Sequence, residues 1–78
     1  MTKKYRKTAI IEAEQFDGSK EMIEKYEILK RSWVYKIKTL EGDEYFTLGD
    51  WIATGIEGEH WPIKDEIFRK TYEEVKDE

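Results

Sequence analysis

The chain has 78 residues, 41% of them charged, a net charge of −4 and no cysteine. That length makes one small domain with a thin core, and the missing cysteines exclude disulfide staples, thiolate catalysis and cysteine-ligated metals. Aromatic residues at 14% argue against disorder. No apolar run nears the ~18 residues of a membrane span or the core of a signal peptide, so a cytoplasmic protein without membrane association is expected.

The expected domain covers residues 1–78, with a basic arm over 1–7 (Lys3, Lys4, Arg6, Lys7) and a flexible tail over 76–78. Thr8–Phe16 mixes Ile, Ala and Phe with Glu and reads as a strand, buried on both sides at Ile10 and Ile11. Asp17–Ser19 has turn chemistry, and Ser19 is placed to cap the next element. Lys20–Lys30 carries Met22, Ile23, Tyr26 and Leu29 on one stripe and predicts a helix. Such a short helix must pack on something, here a sheet.

The period then changes. Ser32–Leu40 alternates and predicts a strand, Glu41–Asp43 a hairpin loop, and Glu44–Leu48 the returning strand. Gly49–Asp50 turns the chain into a short strand at Trp51–Thr54, and Gly55–Gly58 turns it again into Glu59–Ile63. Pro62 cannot donate to a ladder, so that strand is an edge or ends there. Lys64–Phe68 reads as a single helical turn with Asp65 as its cap, and Lys70–Val75 as a closing strand. The order β-α-β-β-β-β-β predicts a small α+β fold: a bent antiparallel sheet or partial barrel, closed by its first and last strands, with the helix packed against it.

Little in this sequence is equipped for catalysis. His60 is the only histidine, and one imidazole beside Glu57 and Glu59 falls short of a zinc ligand set. Asp43, Asp50, Glu57 and Glu59 lie near turns, where carboxylates serve backbone N–H groups. No nucleophile motif, P-loop or dinucleotide fingerprint is present. No enzyme activity, cofactor or metal is therefore expected.

The aromatic residues Trp33, Tyr35, Tyr45, Phe46, Trp51 and Trp61 are expected mainly to fill the core. Binding a protein is their second use, since Trp and Tyr concentrate at interface hot spots. Stacking nucleic-acid bases is the third, weakened by the net negative charge. A contact surface, if displayed, is expected to involve Trp33, Tyr35, Asp50, Trp51, Glu57, Glu59, His60 and Trp61. The acidic surplus also allows a face that mimics a nucleic-acid backbone, and exposed edge strands allow a homodimer.

Several segments together resemble a family of small phage and prophage proteins. Its N-terminal strand pattern is matched by "IIEAEQF", and its C-terminal block by Leu40–Asp43, Gly49–Ile52, Gly55, Gly58, Glu59, Pro62, Lys64, Ile67, Phe68 and Thr71–Glu73. The chain departs from that pattern at Leu48 and Asp65, where proline is frequent, and at Trp61, where Tyr or Phe is frequent. The resemblance implies a phage accessory protein and brings no activity or catalytic residues with it. Binding a host or defence protein, for example as an inhibitor of a host enzyme or of an antiviral system of CRISPR type, is the expectation. A nucleic-acid-binding accessory factor is the alternative.

Overall fold

A computed structural model describes residues 1–6 and 10–76. The elements are β1 (Glu12–Gln15), α1 (Lys20–Lys25), β2 (Leu29–Arg31), β3 (Val34–Thr39), β4 (Gly42–Phe46), β5 (Trp51–Thr54), β6 (His60–Ile63) and α2 (Asp65–Thr71). The strands form two antiparallel three-stranded sheets, ordered β1-β5-β6 and β2-β3-β4. The fold is a small α+β one. Part of the expected basic arm, the start of the first expected strand and the end of the tail lie outside the described residues.

The strands make two sheets where one bent sheet was expected, and β1 begins at Glu12, so that Ile10, expected to be buried, is 70% exposed. Two further elements differ from the sequence reading. The helix expected to reach Lys30 ends at Lys25, with Tyr26 as its C-cap. Glu27 takes a left-handed conformation (φ 53°), its N–H donates to Glu24 O at 3.3 Å, and the Ile28 N–H donates to Ile23 O at 2.9 Å. This is the Schellman pattern, usually built on glycine, which satisfies the last helical carbonyls and turns the chain. In consequence Leu29 leaves the apolar stripe for β2 and is exposed, while Ile28 enters the core. At the other end, the expected closing strand Lys70–Val75 is not formed. Its start is the last turn of α2, because Phe68 and Tyr72 sit four residues apart and stack at 5.1 Å. The first and last segments therefore do not pair, and neither sheet closes among the described residues.

The start of α1 is as expected, with the Ser19 hydroxyl accepting from Met22 N–H at 3.2 Å. At α2 the cap differs. Lys64 occupies the N-cap without a side-chain bond, and Asp65 is the first helical residue. The Asp65 N–H donates instead to the Asp50 carboxylate at 3.3 Å. That carboxylate also accepts from Thr47 N–H at 3.0 Å, so one buried side chain ties the β4–β5 turn to the start of α2.

The core is Phe16, Met22, Tyr26, Ile28, Tyr35, Ile37, Phe46 and Ile52. Phe16 is its centre, meeting Tyr35 edge-on at 4.7 Å and Phe46 at 5.0 Å. No tryptophan belongs to it. Ile52 lies on one face of the first sheet, and Trp51 and Ala53 lie on the other, where Trp51 stacks on Phe68 of α2 at 4.1 Å.

Candidate functional site

Strand alternation sorts the side chains of the second sheet into an inner and an outer set. Tyr35 pairs with Phe46, and Ile37 with Glu44, so these share the inner face that carries the core. Leu29, Lys36 and Tyr45 are in register across all three strands and form a row on the outer face. Arg31–Val34 and Lys38–Asp43 lie on the same face, on either side of that row. Leu29 is 55% exposed and Tyr45 61%. The Lys36 side chain is only 17% exposed and reaches Asp43 at 3.4 Å. Its stem runs between its two cross-strand neighbours, which is how a lysine becomes half-buried on an open sheet.

The two-residue turn between β2 and β3 holds Ser32 (φ 55°) and Trp33. Trp33 is 83% exposed. The exposed indole on this tight hairpin, next to Arg31 and Val34 at the end of the sheet whose outer face carries Tyr45, supplies the Trp, Tyr and Arg chemistry typical of interface hot spots. Register puts Arg31, Lys36 and Lys38 on this face with Asp43, while Glu44 lies on the opposite one. Lys36, Lys38 and Asp43 also line a pocket shared with Glu27 and Glu59.

A second, polar cluster lies on the inner face of the first sheet, where Glu12, Thr54 and His60 are in register. The His60 ring meets Tyr26 edge-on at 4.9 Å and bonds the Thr54 hydroxyl at 2.9 Å through Nδ1. The Tyr26 hydroxyl and the Lys25 ammonium both donate to the Glu14 carboxylate. The bond from Lys25, and secondarily that from Tyr26, holds the Glu14 pKa below the usual carboxylate range. Burial, and next the Glu14 carboxylate, pushes the Tyr26 hydroxyl up.

A depressed carboxyl pKa stabilises the fold above its unfolded value, and that contribution is lost as pH falls through the lowered folded value. Glu14→Gln is therefore expected to lower stability near neutrality and to make the acid limb of a Tm-against-pH curve shallower. Its neutral-pH effect should stay below about 1 kcal/mol, because solvent screens so exposed a pair. The Glu14 side chain is 41% exposed and that of Lys25 61%. An acid limb unchanged from wild type would remove the pair as its cause.

The eight residues read as a contact surface are dispersed. Trp33 stands exposed in the turn at the end of the second sheet, but Tyr35, expected beside it, is buried in the core. Asp50 is buried too and serves the turn and α2. Trp51 is half-buried, stacked on Phe68, with its indole N–H donating to Asp65 at 2.8 Å. Glu57 is exposed in the β5–β6 turn, and its N–H donates to the Glu59 carboxylate at 3.0 Å. His60 belongs to the polar cluster, and Trp61 is half-buried on the opposite face of β6. Leu29 and Tyr45 were not singled out as contact residues. Leu29 was hidden by its place on a helical stripe, and Tyr45 by the expectation of a filled core.

No three His, Cys, Asp or Glu side chains among the described residues could together hold a metal ion. No helix among them is long and apolar enough to cross a membrane. No protein-family model matches the chain, and no curated protein or solved structure is significantly similar to it.

Proposed function

We propose that the chain is a phage-encoded accessory protein that acts by binding a host or defence protein in the bacterial cytoplasm, inhibiting it rather than catalysing a reaction. The observation that carries the binding role is the 83%-exposed Trp33 in the hairpin turn of the sheet whose outer face displays the exposed row of Leu29 and Tyr45. Exposing such groups costs solubility, and they concentrate where a partner covers them. The phage origin rests on the resemblance of the C-terminal block, Leu40–Asp43 through Thr71–Glu73.

The test is a comparison of wild type with Trp33→Ala/Tyr45→Ala, both sites being exposed enough to leave the fold intact. Wild type is expected to capture a specific host protein and to raise phage plating on defended hosts. The double variant should lose both, with binding weakened by about 2 kcal/mol or more, roughly 30-fold. Failure to capture a partner, with unchanged plating, overturns the proposal.

One observation favours a second reading. The register that puts Arg31, Lys36 and Lys38 on one face with Tyr45 also makes a small cationic, aromatic platform of the kind that holds single-stranded nucleic acid. A gel-shift titration with single-stranded DNA separates the two. The absence of a shift at low salt rejects this reading and leaves protein binding untouched.

A further inference from the structure

A groove of about 680 Å³ runs between the start of β1 and the end of α2. Three aromatic rings wall it, Trp51, Phe68 and Tyr72, stacked at 4.1 and 5.1 Å with interplanar angles of 13° and 16°. Ile10 and Val75, 70% and 63% exposed, stand among its lining. Its charged residues are Glu73 and Glu74, together with Glu12, whose register turns its side chain toward the opposite face of the sheet, and no cation is among the described residues that line it. β1 also has only β5 as a sheet neighbour, so its other edge has no strand partner among the described residues.

The chain itself carries a segment of complementary chemistry. Met1–Arg6 is exposed throughout, Tyr5 is 89% exposed, and Lys3, Lys4 and Arg6 surround it. We infer that the groove takes the Lys3–Arg6 arm of a second copy, so that two chains exchange arms about a two-fold axis. The Tyr5 ring extends the Trp51–Phe68–Tyr72 stack, and the arm's cations meet the Glu73 and Glu74 carboxylates. An extended arm can also add to the open edge of β1 through main-chain hydrogen bonds. Because the same two chains give and receive each other's arms about the two-fold axis, both grooves are filled and the assembly closes at two copies. At a net charge of −4 two chains repel at long range. Arm and groove are the places where that sign reverses, which gives the dimer its orientation. This groove is separate from the outer face of the second sheet, and either site stands without the other.

Sedimentation velocity of the full chain over a concentration series tests it. Wild type is expected to dimerise at low salt and to dissociate as salt rises. Glu73→Lys/Glu74→Lys and Lys3→Glu/Lys4→Glu should each lose the dimer, and the chain carrying all four substitutions should regain it. General repulsion predicts the opposite for the first variant. Its two reversals add four charges to −4 and make a neutral chain that would associate more readily. A wild type that stays monomeric overturns the inference, as an arm folded onto its own chain would make it do. So does a dimer that either double variant leaves intact, or a fourfold variant that stays monomeric.

Discussion

Phe16→Ala is expected to leave much of the protein unfolded at 25 °C. Phe16 is 1% exposed, and its ring touches Tyr35 and Phe46 of the second sheet. Its backbone extends the pairing of the first, accepting from Gly49 N–H at 2.9 Å and donating to Asp50 O at 2.7 Å. One residue thus belongs to one sheet through its main chain and to the other through its side chain. Truncating a buried Phe costs about 3–5 kcal/mol, because the cavity collapses only in part. A domain of 78 residues has about 4–12 kcal/mol in all. Urea unfolding followed by tryptophan fluorescence should show a strongly lowered midpoint, or no folded baseline. Phe16→Leu keeps most of the volume and should lose less. A wild-type midpoint for Phe16→Ala would mean that the two sheets do not depend on this ring.

The central ring of this core was legible as the end of the first apolar run, and Tyr35 and Ile37 as alternate positions of a strand. Met22 and Tyr26 were legible by their helical spacing, since a four-residue interval survives a helix that stops early. β2 was hidden for a physical reason. Leu29–Arg31 is a three-residue strand held by pairing with Val34–Lys36, and local spacing carries no trace of a partner. The Schellman turn before it rests on Glu27, where glycine would have announced it. α2 was misread at its end because Thr, Tyr and Val favour strands, whereas Phe68 had a tertiary partner, Trp51, and helical spacing brings Tyr72 onto the Phe68 ring.

The candidate contact face shows the same division. Trp33 was legible as a residue type suited to binding, but its exposure comes from its place in a two-residue turn. The charge pattern of the linear sequence, Lys36 and Lys38 and then Glu41, Asp43 and Glu44, looks mixed. Register separates it, putting both lysines with Asp43 on the outer face and Glu44 on the inner one. A face can therefore be cationic in a chain that is acidic overall.

Asp50→Ala is expected to cost about 2–4 kcal/mol, the second largest single loss. Asp50 is 8% exposed, and its carboxylate accepts from Thr47 N–H, from the Thr47 hydroxyl at 3.4 Å and from Asp65 N–H. Alanine would leave two backbone donors to find water, at about 1–3 kcal/mol for each that stays dry. Its main-chain bonds, Asp50 N–H to Thr47 O and Phe16 N–H to Asp50 O, survive the change, so the turn should persist. The damage should concentrate at α2, a seven-residue helix with no other N-terminal cap. The Asp65 amide should then exchange faster with solvent, and Trp51 emission should shift to the red as Phe68 moves off its ring. Asp50→Asn keeps an acceptor oxygen and should lose less than alanine. Glu41→Ala, in the exposed β3–β4 turn, should lose almost nothing. If Asp50→Ala and Glu41→Ala melt together, and the Asp65 amide stays protected, Asp50 does not fasten α2 to the sheet.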